Sequence, residues 1–387
     1  MPAAAEERQL APQIEASARQ PHSDYIYGID LVRFACALCV AAFHLTWKAP
    51  ETAWFLPFGW VGVQVFFVIS GLVIANSAQG ATPPQFLTGR FMRIYPTAWC
   101  TAVVSYPLFL CQFPNMVDPL QRLYFSLILF PGPFIATAYW TLPIELAFYF
   151  VVYSVIVFNG FRHVRWLAVF LILWGAPCVV GLALNARGLA HWNWVDFPYL
   201  WENMSLLRYG PYFGLGILVW LYKQKRAGII AFAAAALALA LACMEIYAKT
   251  TEVLPNFAQS TSASAQPWTH LPLAANLVFL AAFAAILLSV RFNRLFPVNA
   301  QLRKAVRTLG LMTYPFYLLH ELVGAFVIAQ TTKLGMTHLT SVFTALAAIG
   351  LVSLAIALYF EPALRRALKL TGRILSATAK KPALKTT

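Results

Sequence analysis

The residue best suited to acid–base chemistry is a histidine inside an apolar segment. His44 lies eleven residues after Arg33, and no other charged side chain separates them. An α-helix turns by about 100° and rises about 1.5 Å per residue, so both side chains lie on one face, about 16 Å apart. Ionisable groups are rare in such segments, and imidazole titrates near neutral pH. The pattern predicts a general base at His44; the alternative is a packed histidine, with Arg33 paired to Asp30.

A second candidate is a carboxylate near the start of another apolar segment. Glu145 lies between Trp140 and Tyr149, and the segment boundaries place it at about the depth of His44. A carboxylate beside an imidazole fixes its tautomer and strengthens it as a base. The sequence therefore predicts a catalytic pair of His44 and Glu145. The alternative is an interfacial glutamate whose carboxylate reaches water.

Two arginines, Arg90 and Arg93, are spaced i, i+3 at the edge of a third apolar segment. On a helix this spacing places both guanidinium groups on one face. Guanidinium groups bind phosphates in bidentate geometry, which predicts a binding site for a phosphorylated donor. Basic residues that only anchor a helix end at the cytoplasmic surface are the alternative.

Polar side chains also interrupt two further apolar segments. Ser70 lies in the stretch Phe-Phe-Val-Ile-Ser-Gly, whose small residues also favour close helix packing. Tyr314 and Tyr317 precede His320 within one helical segment. We expect this polar strip to line a cavity rather than to lie in an aromatic belt at the membrane surface.

The elements that must position these residues are transmembrane helices. Of 387 residues, 60% are hydrophobic and only 11% are charged, and the mean hydropathy is +0.67. Apolar blocks of about 20 residues match a bilayer core of about 30 Å. The sequence predicts an all-α polytopic protein with a tail at 1–25, a ten-span domain at 26–361 and a basic tail at 362–387. A shorter apolar piece at 121–131 is expected to be re-entrant or interfacial. The spans are expected at 26–47, 57–77, 93–113, 139–158, 164–184, 204–222, 227–247, 271–290, 309–330 and 339–361.

The net charge of +14 follows a topological pattern. Lys and Arg concentrate in alternate connecting segments and in both tails, which predicts that the N- and C-termini are cytoplasmic. The sequence contains no basic stripe interleaved with exposed aromatic residues, so nucleic-acid binding is not indicated. The six cysteines lie in or beside apolar blocks without metal-ligand spacing, so we expect neither disulfides nor a metal site. The polar first 25 residues contain no apolar signal core, so no cleaved signal peptide is expected.

Taken in chain order, these motifs resemble those of the membrane acyltransferase-3 family. The resemblance runs from about Asp30 to Glu361 and rests on five features. They are the Arg-x10-His pair, the Phe-Phe-x-x-Ser-Gly stretch, the Arg-x-x-Arg pair and the segments Trp140–Tyr149 and Tyr314–His320. The family often has Glu-x-Pro where this chain has Glu361 directly before a proline, which leaves the role of that region open. Some members add a soluble domain after the membrane part; the short stretch after Glu361 predicts a stand-alone membrane enzyme.

The resemblance implies transfer of an acyl group, typically acetyl, from acyl-coenzyme A to an envelope or exported saccharide or glycolipid at the inner membrane. It implies that donor phosphates bind Arg33, Arg90 and Arg93, and that His44 and Glu145 activate the acceptor hydroxyl. Ser70, Tyr314 and His320 are expected to bind substrate. No permanently bound cofactor is expected, and partners would be membrane lipids and polysaccharide-assembly proteins. Two other classes remain as alternatives: a transporter for saccharides or lipid-linked precursors, and a noncatalytic assembly scaffold. The acyl group, the acceptor, a covalent acyl-enzyme and the oligomeric state are not specified by the sequence.

Overall fold

The fold is a bundle of α-helices, seen in a computed structural model that describes residues 25–379 except 48, 50, 159, 190–202, 262–270 and 296–298. Every regular element in these residues is helical. The α-helices are α1 (Tyr27–Thr46), α2 (Gly62–Ala78), α3 (Pro83–Gln112), α4 (Pro119–Ile128), α5 (Thr141–Val157), α6 (Val164–Ala186), α7 (Gly210–Lys223), α8 (Ile229–Thr261), α9 (Leu271–Arg291), α10 (Ala300–Lys333), α11 (His338–Ala355) and α12 (Glu361–Ala379).

Nine helical segments of the described chain are long and apolar enough to cross a membrane. The predicted class, an all-α polytopic membrane protein, is therefore confirmed. The sixth predicted span, 204–222, differs in length because its helix, α7, has only 14 residues. Such a helix is about 21 Å long, shorter than a bilayer core of about 30 Å. Residues 210–221 are all buried, so their hydrophobicity serves protein packing rather than contact with lipid.

Close contact between α2 and α7 depends on two glycines. A Cβ atom on Gly71 would lie 2.2 Å from the carbonyl oxygen of Phe213, and one on Gly216 would lie 2.0 Å from that of Val68. Larger residues would therefore force the two backbones apart, as expected for helices packed through small residues. Ser70 directly precedes Gly71 in α2, so this crossing also fixes the position of Ser70. The predicted packing role of the small residues is confirmed.

The short apolar piece predicted at 121–131 forms α4, which has ten residues and is about 15 Å long. Arg122 donates from Nη1 to the carbonyl oxygen of Phe134 at 3.1 Å. The Ser126 hydroxyl accepts the backbone N–H of Ile135 at 3.0 Å. These bonds attach α4 to the loop that leads into a 3₁₀ turn at Thr137–Trp140 and then into α5. The segment is too short to span, as predicted, and its depth in the membrane stays a prediction.

A buried ion network joins α2, α7 and α8. Arg208 donates from Nε to Glu245 at 2.8 Å and from Nη2 to Glu252 at 3.1 Å. Glu245 is fully buried, and its second oxygen accepts from Tyr212 at 2.9 Å and from Gln64 at 3.3 Å. The buried charges are therefore paired and also hydrogen-bonded, the condition under which ions persist in an apolar interior.

The predicted C-terminal tail, 362–387, begins as a helix. A π-helical turn at Ile356–Phe360 connects α11 to α12, which begins at Glu361 and continues to Ala379. Glu361 is buried and pairs with Arg365 one turn later. Residues 380–387 and the predicted N-terminal tail up to residue 24 lie outside the described residues. The cytoplasmic position of both termini stays a prediction.

Candidate active site

His44 lies in the last turn of α1, close to a carboxylate that the sequence analysis did not select. Its Nδ1 is 3.8 Å from Oε1 of Glu321 on α10. The predicted partner, Glu145, has different contacts, since its Oε1 accepts from Ser70 at 3.0 Å and from Tyr149 at 2.5 Å. The prediction that His44 pairs with Glu145 is therefore wrong. The carboxylate that can orient the His44 imidazole is Glu321.

Glu321 is itself fixed by the 3₁₀ turn that precedes α5. The backbone N–H groups of Thr137 and Ala138 donate to its Oε2 at 2.6 and 3.2 Å, and the Thr137 hydroxyl donates to its Oε1. Hydrogen bonds of this kind favour the carboxylate form and hold it in one orientation. The signal was available in the sequence, because Glu321 directly follows His320 in an otherwise apolar segment.

His320 lies beside His44, with 5.1 Å between the ring centroids. It is almost completely buried, and its Nδ1 is 2.5 Å from the carbonyl oxygen of Tyr317. A carbonyl oxygen can only accept, so Nδ1 carries the proton and Nε2 presents a lone pair. Among the described residues, Nε2 has no hydrogen-bond partner. A buried acceptor without a partner is unusual and marks a position where a donor group can bind.

His44, His320 and Glu321 are also the described residues that could hold a divalent ion. Their ligand atoms lie within 4.8 Å of one another, and two histidines with one glutamate form a known catalytic zinc set. However, the Glu321 oxygens already accept three hydrogen bonds from Thr137 and Ala138. This arrangement suits a carboxylate that pairs with an imidazole. The expectation that the protein has no metal site stays a prediction.

The Glu145 carboxylate belongs to a second group of polar residues in the centre of the bundle. A cavity of about 60 Å³ is lined by Arg33, Ser70, Glu145, Tyr314 and Tyr317, among others. The Tyr314 hydroxyl is buried and has no partner among the described residues. Arg33, Ser70, Glu145 and Tyr314 were candidate site residues from the sequence, and Tyr317 was expected to line a cavity. The structure thus brings Arg33, Ser70, Glu145 and Tyr314 together around one cavity, whose lining does not include His44.

Arginines surround a larger cavity, of about 290 Å³, at the opposite end of α1 from His44. We call this end of the bundle the Arg end, defined by Arg33, Arg90, Arg93 and Arg307, and the other the His end, defined by His44, His320 and Glu321. All four arginines line this cavity. Arg307 was not selected from the sequence because it lay in a basic segment that topology alone explained.

Few acidic groups offset the charge of the Arg end. Asp30 lines the same cavity and accepts a hydrogen bond from the Tyr25 hydroxyl. It approaches α10 closely at Gly310, where a Cβ atom would lie 2.3 Å from the Asp30 carboxyl carbon. Among the described residues, none of the four arginines lies within ion-pair distance of a carboxylate. The pairing of Arg33 with Asp30, which was the alternative to a functional role, is therefore not formed, and the cavity carries excess positive charge.

The cavities form a series from the Arg end towards the His end. Arg33 lines the 290 Å³ cavity, a cavity of about 50 Å³ next to it and the 60 Å³ cavity beyond. Tyr317 lines the last of these, and its carbonyl oxygen accepts from His320. The series therefore starts among guanidinium groups and ends at the backbone turn that holds a histidine. An extended molecule with an anionic head and a reactive tip fits this arrangement.

The fold and these sites define a polytopic membrane protein with a cationic cavity at one end and a histidine–carboxylate pair at the other. The acyltransferase-3 family model, described as an acyltransferase domain, matches residues 26–361. This chain therefore belongs to that family.

A curated relative is the exopolysaccharide production protein ExoZ of Rhizobium meliloti (strain 1021). It is 33% identical over 113 residues, which cover 26% of this chain and 35% of that protein. The alignment therefore spans only about a third of the relative. No solved structure matches this chain.

Proposed function

We propose that this protein is an inner-membrane O-acyltransferase that moves an acyl group, typically acetyl, from acyl-coenzyme A to a hydroxyl of an envelope or exported saccharide or glycolipid. In this proposal the Arg end faces the cytoplasm and the His end faces the outer side of the membrane. One observation carries it: in a member of an acyltransferase family, a series of cavities runs from an arginine cluster to Tyr317, whose carbonyl oxygen accepts a hydrogen bond from His320 beside the His44–Glu321 pair.

The Arg end suits the donor because coenzyme A carries phosphates at one end and the thioester at the other. Guanidinium groups form short, charge-assisted hydrogen bonds with phosphate oxygens. Four guanidinium groups around one cavity could neutralise several phosphate charges at once. The pantetheine arm would then extend past Ser70 and Glu145 towards Tyr317. The thioester would reach the neighbourhood of His320 and His44.

At the His end, His44 acts as the general base in the proposed reaction. Its imidazole takes the proton of the acceptor hydroxyl, and the oxygen attacks the thioester carbonyl. The C–S bond then breaks, and the coenzyme A thiolate leaves and takes up a proton from the imidazolium. Glu321 stabilises the imidazolium form, and the bare Nε2 of His320 accepts a hydrogen bond from a neighbouring hydroxyl of the acceptor.

The test compares histidine and glutamate variants in specific activity and in membrane abundance. We expect His44→Ala to lower acyl transfer by about 10²–10⁴-fold, the usual contribution of a general base. Glu321→Gln should impair transfer more than Glu145→Gln, because Glu321 is the carboxylate beside His44. The measurement is transfer of radiolabelled acetyl from acetyl-coenzyme A, divided by the amount of purified full-length protein.

A matched control is His163→Ala, which changes an exposed histidine that precedes α6. Its specific activity should equal that of the parent. Near-parental specific activity of His44→Ala would refute the proposed mechanism. Activity that depends strictly on a proton or sodium gradient across vesicles would instead favour a transporter.

A further inference from the structure

A separate cavity of about 520 Å³ lies beside the His end. Its lining includes Arg122, Phe134, Thr137, Trp140 and Asn203. Thr137 connects it to the proposed reaction centre, because both its backbone N–H and its hydroxyl donate to the Glu321 carboxylate. The volume falls within the range of about 300–1,000 Å³ that is typical of small-molecule sites.

Apart from Pro143 and Ile144 of α5, a helix that also supplies Glu145 to the 60 Å³ cavity, the cavity wall is built from segments that do not contribute to the donor cavities. α4 supplies Arg122, the loop after it supplies Phe134, and the 3₁₀ turn supplies Thr137 and Trp140. The Arg122–Phe134 hydrogen bond holds one side of the wall in place. None of these residues lines the cavities that contain Arg33. The two ends of the bundle therefore offer separate sites for two substrates.

The chemistry of the lining fits a sugar. Two aromatic side chains, Phe134 and Trp140, offer apolar faces for the C–H faces of a pyranose ring. Arg122 and Asn203 carry hydrogen-bond donors, and the amide oxygen of Asn203 and the hydroxyl oxygen of Thr137 can accept. Among the residues that line this cavity there is no carboxylate, and Arg122 supplies a positive charge. Neutral and anionic saccharides can therefore enter without charge repulsion.

We propose that this cavity binds the saccharide acceptor, with a sugar ring against Trp140 and its hydroxyls hydrogen-bonded to Arg122 and Asn203. The reacting hydroxyl passes Thr137 to reach His44. The inference rests on the proposed function and adds to it the place where the acceptor binds. The sequence analysis assigned substrate binding to Ser70, Tyr314 and His320 and did not identify this wall.

The experiment uses two variants that change the cavity in different ways, one in its volume and one in its charge. Met204 lines the cavity and is partly exposed, so Met204→Trp fills it, whereas Arg122→Gln removes a charge and donors. The matched control is Arg187→Gln, which changes an arginine outside the lining, at the end of α6. Purified full-length proteins are assayed for two reactions of acetyl-coenzyme A: hydrolysis without saccharide, and transfer to non-acylated polysaccharide isolated from a deletion strain.

We expect each cavity variant to lower transfer about tenfold or more, with a raised apparent KM for the polysaccharide. Hydrolysis should stay within about twofold of the parent, because donor and base are unchanged. The Arg187→Gln control should match the parent in both reactions. The two variants act differently on the wall, so if one of them fails to accumulate, the other still decides.

Three results would overturn the proposal. Parental transfer by both variants, from a parent that is active, would refute the acceptor site alone. An equal fall in hydrolysis and transfer would show that the cavity supports the His end as a whole rather than binding the acceptor. A cavity that is filled by lipid would give the same result and would also overturn the proposal. A parent that neither hydrolyses acetyl-coenzyme A nor transfers its acetyl group would refute the proposed function, and this inference with it.

Discussion

Arginines lie in two places within the helix bundle, Arg208 alone and the four arginines of the Arg end, and they differ in the partners of their guanidinium groups. Arg208 is buried, and the structure pairs it with Glu245 and Glu252 at 2.8 and 3.1 Å. The Arg end contains four guanidinium groups around one cavity, with Asp30 as the acid in its lining. The first group is locally balanced in charge and the second is strongly positive.

The difference separates a structural charge from a binding charge. A buried ion pair whose oxygens accept further hydrogen bonds has little capacity left for a ligand, and removal of one member leaves the other uncompensated. Where guanidinium groups line a cavity and form no ion pair, their positive charge stays uncompensated until an anion enters. Variants of the first group should therefore lose folded protein, and variants of the second should lose donor affinity.

The largest effect is expected for Glu245→Ala. This change leaves Arg208, Tyr212 and Gln64 without the acceptor that they share. Breaking such a buried pair costs about 3–5 kcal/mol, a large fraction of typical protein stability. We expect little folded protein in the membrane, measured as the monodisperse fraction after detergent extraction.

The matched control is Glu51→Ala, which removes an exposed carboxylate and should leave the folded fraction unchanged. Normal accumulation of Glu245→Ala would mean that the network is not structural. The claim that Arg208 carries a structural charge would then be wrong.

The second prediction concerns the Arg90→Ala, Arg93→Ala double variant. Each lost charge-assisted contact with phosphate costs about 1.5–3 kcal/mol before solvent screening, so the apparent KM for acyl-coenzyme A should rise at least about tenfold. Abundance should stay normal, because neither arginine is paired with a described carboxylate. The measurement is a donor titration of purified protein.

An Arg162→Ala, Arg165→Ala double variant provides a control with the same i, i+3 spacing. Neither of these arginines lines the cavities at the Arg end, so the donor titration should not change. If the Arg90 and Arg93 variant titrates like the parent, those arginines only anchor the helix.

Arg307→Ala should have a smaller effect of the same kind. Arg307 lines the donor cavity, and its guanidinium lies over the Tyr25 ring, 5.7 Å from the centroid. It is exposed, so water screens its attraction for a phosphate. We expect KM for acyl-coenzyme A to rise about threefold, against no change for Arg303→Ala one turn earlier. An unchanged KM would exclude Arg307 from the donor site.

Much of the fold was predictable because the bilayer sets the length of each helix. Apolar blocks of about 20 residues have few alternatives in a membrane. Hydropathy does not distinguish contact with lipid from contact with protein, however. For that reason α7 was expected to cross the membrane as a 19-residue span, 204–222, although its helix is short and buried.

Most members of the candidate site were predictable, except Glu321 and Arg307, but the pairing of His44 was not. Helical periodicity correctly placed Arg90 and Arg93 together, and the motifs identified His44 and His320. Depth along a span is known from sequence only to about 2–4 residues, or about 3–6 Å at 1.5 Å per residue. That uncertainty is comparable to the reach of a side chain, so depth could not decide whether Glu145 or Glu321 faces His44. The decision required the packing of α10 against α1.

The smallest effect is expected for Lys249→Ala, at the exposed edge of the Arg208 network. Lys249 donates to Glu252 at 2.7 Å, but their side chains are 35% and 42% exposed. Exposed ion pairs contribute about 0–1 kcal/mol, and Arg208 still binds Glu252 in the variant. Thermal unfolding followed by intrinsic fluorescence should therefore shift by less than about 4 °C. A loss of folded protein as large as that of Glu245→Ala would show that the network acts as a single unit. In that case the exposure of an ion pair would not indicate whether the pair is needed for folding.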